Sequence, residues 1–187
     1  MLAYFAEQKT REQGRQISDR MQAILQRIWN SDKVTIAAVN GQALGGGCEI
    51  LTSCHFRIAA NHATFCYRQA RNGIVTGWGG GVKLLQLIGR QQGLRLLLTS
   101  ETIDADEACR IGLVDLVIES NQLLTTSLEF AKKIQRNSPD TISTFLNIAR
   151  SFNNDELEKA RSFENEAFLN LWVSDEFRQF LQKYAKT

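Results

Sequence analysis

The sequence contains few cysteines and almost no proline. It has one proline in 187 residues, and its four cysteines show no C-x-x-C spacing. Cys48, Cys54, Cys66 and Cys109 lie among apolar or small residues. This pattern favours reduced, buried thiols over disulfides, and it argues against a zinc site.

The sequence also lacks an excess of charge of one sign. Its 22 basic and 20 acidic residues give a net charge of +2, without a long run of either sign. Nothing therefore indicates nucleic-acid or membrane-surface binding, and we expect small molecules and copies of the chain as partners. No apolar run of about 18 residues and no basic-then-apolar leader occurs, which predicts a cytoplasmic location.

The most informative segment runs from Lys33 to Glu49 and reads KVTIAAVNGQALGGGCE. Its first part, up to Val39, is rich in β-branched and small residues and ends at Asn40-Gly41, which predicts a buried strand and a turn. The three glycines Gly45 to Gly47 let backbone N–H groups approach a ligand closely, just before a helix that carries Glu49. This arrangement indicates an anion hole beside an acid–base group.

Two nucleotide motifs and one structural explanation compete with this interpretation. No Lys-Ser or Lys-Thr pair follows the glycines, and the G-x-G-x-x-G spacing is absent, so neither a phosphate loop nor a dinucleotide site is supported. A strand-to-helix turn that needs glycine for steric reasons alone remains the alternative.

Helices and strands alternate through the first part of the chain, which predicts an α/β fold. An apolar stripe predicts an amphipathic helix from Thr10 to Asn30, packed on the sheet. The further predicted elements are helix Gly46 to Ser53, strands Phe56 to Ala60 and Thr64 to Cys66, helices Val82 to Ile88 and Gln91 to Leu98, a helix capped by Asp104 and ending at Cys109, and strand Leu113 to Ile118.

Beyond Glu119 the sequence predicts helices only. The four segments are Gln122 to Arg136, Pro139 to Arg150, Asp155 to Trp172 and Asp175 to Ala185. Phe163, Ala167 and Leu171 share one face of the third segment, which fits packing within the chain or against a neighbouring subunit.

Four blocks in this order resemble the crotonase family, also called the enoyl-CoA hydratase/isomerase family. They are AAVNGQALGGGCE, CHFRIAANHATF, GIVTGWGGGVKLLQLIG and TIDADEACRIGLVDLVI. The resemblance implies a crotonase-like (ClpP/crotonase) fold of repeated ββα units with a C-terminal helical region. It divides the chain into a core, residues 1–119, that lacks its first strands, and a helical trimerisation region, residues 120–187, of a homotrimer or hexamer.

The resemblance also implies an acyl-CoA thioester substrate, with no cofactor other than the coenzyme A that the substrate carries. The backbone N–H of Gly46 matches one donor of the family's oxyanion hole, and Glu49 matches an acid–base glutamate. Leu44 and Gly45 match positions that contact the substrate. The expected activity is that of an enoyl-CoA hydratase or isomerase that stabilises a thioester enolate.

The sequence departs from the family pattern in two places. It begins MLAYFAEQKTREQGRQ, without the A-G-x-D-like turn that supplies the second donor, so we expect the first strands to be missing. A mis-called start, a shortened chain and a degenerate copy remain open. Gln69 stands where hydratases carry a second glutamate, and because an amide does not exchange a proton near neutral pH, a two-glutamate hydratase is disfavoured.

Two alternatives to a hydratase or isomerase follow from the same region. Arg68 or Arg71 could hold a substrate carboxylate, and GIVTGWGG resembles the branch that decarboxylates methylmalonyl- or ethylmalonyl-CoA-like esters, with Trp78 shaping the acyl pocket. Surface arginines and a core or interface tryptophan are the competing explanations. The other alternative is a non-catalytic CoA-binding or assembly subunit.

Overall fold

Two small sheets form the centre of the structure, a computed structural model that describes residue 7 and residues 10–151 and 154–185. The first sheet joins β1 (Ile36–Val39), β3 (Phe56–Ala60) and β6 (Leu116–Ile118), all parallel, in the order β1-β3-β6. The second sheet has the order β2-β4-β5, with β2 (Gln42–Leu44) parallel to β4 (Thr64–Cys66) and β5 (Ile103–Asp104) antiparallel to β4.

The chain passes from one sheet to the other at each short turn. The Asn40-Gly41 turn joins β1 to β2, and residues 61–63 join β3 to β4. The pairs β1–β2 and β3–β4 are each followed by a helix, so the expected ββα unit occurs twice. The strand β2 was missed because three residues between a turn and three glycines show no period.

Eight α-helices occur in the part of the chain that the structure describes. They are α1 (Arg11–Trp29), α2 (Gly46–Leu51), α3 (Gly80–Thr99), α4 (Ala105–Arg110), α5 (Leu123–Gln135), α6 (Pro139–Ser151), α7 (Asn154–Trp172) and α8 (Asp175–Ala185). Two short 3-10 turns, Ala70–Asn72 and Ser120–Gln122, accompany them. The predicted helical C-terminal region is confirmed, and α4 begins at the Asp104 cap, which accepts the Glu107 N–H.

Helix α3 contains the break that its sequence predicts. Gly89 has φ 77° and ψ 162°, a left-handed conformation that glycine adopts without steric cost. The two predicted helices thus follow one another directly across a kink.

Helix α1 has the predicted bounds but a different partner. Thr10 and Gln13 form a reciprocal cap at its start, as expected for Ser or Thr followed three residues later by Gln. Its buried positions are Gly14, Ser18 and Leu25, and it packs chiefly on α7, so the prediction that it packs on the sheet was wrong. Ile24, one of the apolar residues of this helix, is 41% exposed. The small side chains of Gly14 and Ser18 let α1 approach α7 closely, so this face of α1 forms the contact.

Three apolar clusters form the interior of the described residues. The largest lies between the sheets and helices α2 to α4, and it includes Phe65, Tyr67 and Leu84. The smallest packs α5 on the first sheet. The remaining cluster joins α7 and α8 to the segment around Ile74. Its buried α7 positions are Phe168, Leu169 and Trp172, whereas Phe163 is 78% exposed. Of the predicted face, Leu171 packs against this cluster and Phe163 does not, so packing within the chain holds for one end of the face only.

Two further expectations are modified. The strand predicted from Leu113 begins at Leu116, because Leu113 and Val114 turn into the core after Gly112, which has φ 84°. The four cysteines are free thiols, but only Cys48 and Cys66 are fully buried. Across the described ranges, no helix combines the length and apolar character needed to cross a membrane.

The contact between α1 and α7 gives a test of the packing. A methyl group on Gly14 would lie 2.5 Å from Cδ1 of Trp172. We expect Gly14→Ala to lower the free energy of unfolding by about 1–3 kcal/mol through overpacking, although alanine is the better helix former. Chemical denaturation of the wild type and the variant measures this difference in the free energy of unfolding. Gly41→Ala is the control, because nothing lies within 4 Å of the added methyl group. Equal or greater stability of Gly14→Ala would contradict the packing.

Candidate active site

Seven of the eight residues that the sequence proposes for the site line one cavity of about 330 Å³, and Arg71 is the exception. Its walls come from the end of β2, the first turn of α2, the segment between β4 and α3, and helices α7 and α8. The predicted residues in the wall are Leu44, Gly45, Gly46, Glu49, Arg68, Gln69 and Trp78. The volume lies within the range of small-molecule sites.

Glu49 is the buried acid of this cavity, with 3% of its surface exposed. Its Oε2 accepts the backbone N–H of Trp78 at 2.9 Å and that of Gly80 at 3.1 Å. Burial raises the pKa of Glu49 above the ordinary 4.5, and the hydrogen bonds from Trp78, Gly80 and Gln69 oppose the shift. A carboxyl with a raised pKa can give and take a proton near neutral pH.

Gly80 is required for this contact. A Cβ on Gly80 would lie 2.5 Å from Cβ of Glu49 and 2.7 Å from its Cα. The absence of a side chain therefore lets the start of α3 approach the start of α2 and bring its N–H to the carboxylate.

Gln69 lies next to Glu49 and leaves one polar atom without a partner. Its Nε2 donates to Oε1 of Glu49 at 3.1 Å, and the side chain is 9% exposed. Its Oε1 is buried and has no hydrogen-bond partner among the described residues. Such an atom is costly unless a ligand or water donates to it.

The glycine turn presents one backbone N–H to the cavity. Gly45 has φ 51° and donates its own N–H to the Cys66 carbonyl at 2.9 Å. Gly46 opens α2, and no carbonyl in the described ranges accepts its N–H, as is usual in the first turn of a helix. The ring of Trp78 fills the place of a side chain at Gly46. Gly45 is thus required by its backbone conformation and Gly46 by its contact with the Trp78 ring.

Aromatic side chains from the C-terminal helices close the other side of the cavity. They are Phe168 and Trp172 of α7 and Phe177 and Phe180 of α8. None of these four residues was predicted for the site from the sequence. The available signal was the density of aromatic residues in FLNLW and EFRQF, which predicts a buried face but not what that face encloses.

Arg68 and Arg71 have different environments. The exposed Arg68 lines the cavity, and its guanidinium forms no hydrogen bond or ion pair with the described residues. Arg71 does not line the cavity, and its Nη2 donates to the Ser100 carbonyl at 3.0 Å. Of the two candidates for binding a carboxylate, the structure brings only Arg68 to the site.

The two histidines, His55 and His62, have structural contacts outside the cavity. His55 bonds to Thr35, and His62 bonds to Ser120. In the described ranges, no group of three or more His, Cys, Asp or Glu side chains is arranged to hold a metal ion.

The chain is similar to known proteins over nearly its whole length. Residues 3–187 match the family model of enoyl-CoA hydratase/isomerase. The chain belongs to this family. The enoyl-CoA hydratase/isomerase assignment confirms the crotonase resemblance and, with it, the fold class.

Two curated members of the enoyl-CoA hydratase/isomerase family are similar in sequence. The short-chain-enoyl-CoA hydratase of Clostridium acetobutylicum is 39% identical over 83% of this chain and 60% of its own length. The crotonyl-CoA hydratase of Syntrophomonas wolfei is 38% identical over 79% of this chain and 56% of its own length. The chain therefore spans less than two thirds of either relative.

A solved structure supports the fold. The enoyl-CoA hydratase of Bacillus halodurans superimposes with a TM-score of 0.87 at 26% identity, covering 97% of this chain and 73% of that one. The α/β core and the C-terminal helices are thus arranged as in an enoyl-CoA hydratase of known structure.

Proposed function

We propose that this chain binds an acyl-CoA thioester and moves a proton at the carbon beside the thioester, with Glu49 as acid and base. One observation carries the proposal. A buried carboxyl with a raised pKa and an unbonded backbone N–H, those of Glu49 and Gly46, line the same cavity. Proton transfer at this carbon needs both a base and a donor for the enolate oxygen.

The Gly46 N–H is the proposed donor to the thioester oxygen. Removal of a proton beside the carbonyl leaves an enolate, whose charge collects on that oxygen. A fixed N–H inside a cavity stabilises this charge without reorganisation, and loss of one such donor typically costs about 100 to 1000-fold in rate.

A single carboxyl group is sufficient to catalyse an isomerisation of the double bond. The Glu49 carboxylate takes a proton from carbon 2 of a 3-enoyl thioester, and the enolate carries the electron pair. Glu49 then delivers the same proton to carbon 4, and the double bond comes to lie between carbons 2 and 3. Glu49 ends ionised as it began, so no second acid is needed.

Gln69 fits a positioning role in this scheme. Its Nε2 bonds to Oε1 of Glu49, and its unbonded Oε1 can accept a hydrogen from a water or hydroxyl in the cavity. Because an amide supplies no proton, any hydration of a 2-enoyl ester would also have to use Glu49 for both transfers.

The cavity walls favour a short apolar acyl group. Aromatic and aliphatic side chains such as Ile74, Val75 and Phe168 surround a volume of about 330 Å³. The names of the two similar relatives, a short-chain-enoyl-CoA hydratase and a crotonyl-CoA hydratase, also favour a short acyl group.

The homotrimer or hexamer, the division of the chain at residue 119 and the cytoplasmic location stay predictions.

Glu49→Gln tests the proposal, because the amide keeps the shape of the side chain and removes its proton chemistry. The purified proteins are incubated with 2-enoyl- and 3-enoyl-CoA esters of four to eight carbons, roughly the short-chain range, and products are identified by mass and retention. We expect the wild type to convert at least one ester, and Glu49→Gln to lose about 100-fold or more of that rate.

The control for that experiment is Glu129→Gln, a change of the same kind on an exposed residue of α5. It should keep the wild-type rate. Conversion by Glu49→Gln at the wild-type rate would contradict the proposal. Binding of a saturated acyl-CoA by a wild type that converts none of the esters would favour the non-catalytic subunit.

Arg68 supports a second candidate, the decarboxylation of a carboxyacyl-CoA. A guanidinium at the cavity wall without an ion pair among the described residues is suited to bidentate binding of a carboxylate. Loss of carbon dioxide leaves its bonding electrons on the same enolate, which then takes a proton at carbon 2. The Gly46 donor would serve this reaction equally.

Substitution of Arg68 distinguishes the two candidates. If the substrate is a methylmalonyl-type ester, Arg68→Gln should raise its KM by about 10-fold or more, because a charge-assisted hydrogen bond contributes about 1.5–3 kcal/mol. The KM for an enoyl ester should hardly change. Arg71→Gln is the matched control, since Arg71 bonds to Ser100 outside the cavity. A methylmalonyl-type ester that is not converted, or a KM insensitive to Arg68→Gln, would rule out this role of Arg68.

A further inference from the structure

A second buried carboxyl lies behind the cavity. Glu164 of α7 is 8% exposed and does not line the cavity. Its Oε1 accepts the Gly81 N–H at 2.9 Å and the hydroxyl of Thr76. Its Oε2 is buried and has no hydrogen-bond partner in the described ranges.

Glu164 and Glu49 are held by the same short stretch of backbone. Trp78 and Gly80 donate to Glu49, and the next residue, Gly81, donates to Glu164. The two adjacent glycines have matching steric roles. A Cβ on Gly80 would collide with Glu49, and a Cβ on Gly81 would lie 2.7 Å from Oε1 of Glu164. The backbone at the start of α3 therefore donates hydrogen bonds to two carboxyl groups at once.

Two negative charges at this place are unfavourable. One helix start supplies about half a positive charge, and the interior offers little water to screen a second carboxylate. Burial raises the pKa of Glu164, and the charge of Glu49 raises it further. The unbonded Oε2 is the natural position for a proton, because an ionised oxygen without a donor is costly.

Cations near Glu164 act against the charge of Glu49. The charge of Lys83 of α3 lowers the pKa of Glu164, but Lys83 donates its hydrogen bond to Ser53 Oγ at 2.8 Å, and burial lowers its own pKa to about 8. Arg161 lies one turn before Glu164 on α7, and its Nε would be 3.7 Å from a Cβ on Gly79. On α1, Ser18 is neutral, and Asp19 is exposed and accepts from Asn165. Glu49 is thus the anion that faces Glu164.

We propose that Glu164 is a positioning residue for Glu49, which keeps the one proton of the pair at neutral pH and so leaves Glu49 as the ionised member. The inference rests on the proposed function, because it explains how a deeply buried Glu49 is available as a base. A neutral Glu164 leaves one negative charge at the start of α3. Its ionisation at higher pH adds a second charge and opposes formation of the enolate.

The test follows the ionisation directly and needs no turnover. Protein labelled with carbon-13 at the glutamate carboxyls is titrated by nuclear magnetic resonance, with Glu49→Gln and Glu164→Gln assigning the two signals. In the wild type we expect the Glu49 signal to show two steps, its own and a later response to Glu164. In Glu164→Gln the later step should disappear and the earlier one should remain.

Glu166→Gln is the matched control, because Glu166 lies on the same helix, is exposed, and bonds to Arg11 and Arg15. It should leave both steps unchanged. Identical curves for Glu49 in the wild type and in Glu164→Gln would overturn the proposal. A Glu164 signal that titrates below that of Glu49 would overturn it as well, because the proton would then reside on Glu49.

A second variant covers the case in which Glu164→Gln does not fold. Thr76→Val preserves the shape of the side chain and removes the hydroxyl that donates to Glu164. It should move the later step to higher pH, and an unmoved step would contradict the inference. Failure of the proposed function would be seen separately, as a wild type that converts no ester while its two signals titrate as described.

Discussion

Two backbone N–H groups, those of Trp78 and Gly80, hold the carboxylate of Glu49 in a place from which the rest of the protein excludes water. The contact joins the first turn of α2 to the start of α3, and it is possible only because residue 80 has no side chain. Removal of a carboxylate from water is costly unless hydrogen bonds replace the lost hydration. The bonds from Trp78, Gly80 and Gln69 do this while burial keeps the carboxyl protonatable near neutral pH.

The fold brings these groups together by ending several elements at one cavity. The strand β2 leads into the glycine turn, the segment after β4 carries Gln69, and the loop before α3 supplies Trp78. Helices α7 and α8 add the aromatic wall, and α7 also places Glu164 against the same loop. The C-terminal helices therefore form part of the cavity itself, and Trp172 and Phe177 belong both to its wall and to the apolar cluster of α7 and α8.

The sequence predicted the local arrangement of residues better than the long-range contacts. The glycines and Glu49 are close in the chain and surround a turn whose steric demands are readable, so their placement at one cavity followed from local rules. The partner of α1 and the aromatic residues of α7 and α8 depend on how distant helices pack, which periodicity does not specify. Glu164 was missed for the same reason, because a glutamate in a polar helix is ordinarily exposed, and only the approach of the Gly81 N–H makes it a buried acid.

Solvent exchange at carbon 2 of a saturated acyl-CoA tests the central claim most directly, because it needs only the base and the enolate donor. Butyryl-CoA is incubated with the protein in deuterium oxide, and deuterium in the acyl group is measured by mass spectrometry. The account predicts incorporation by the wild type well above the rate in buffer, and incorporation at the buffer rate with Glu49→Gln. Binding of butyryl-CoA by the wild type without any incorporation would contradict it.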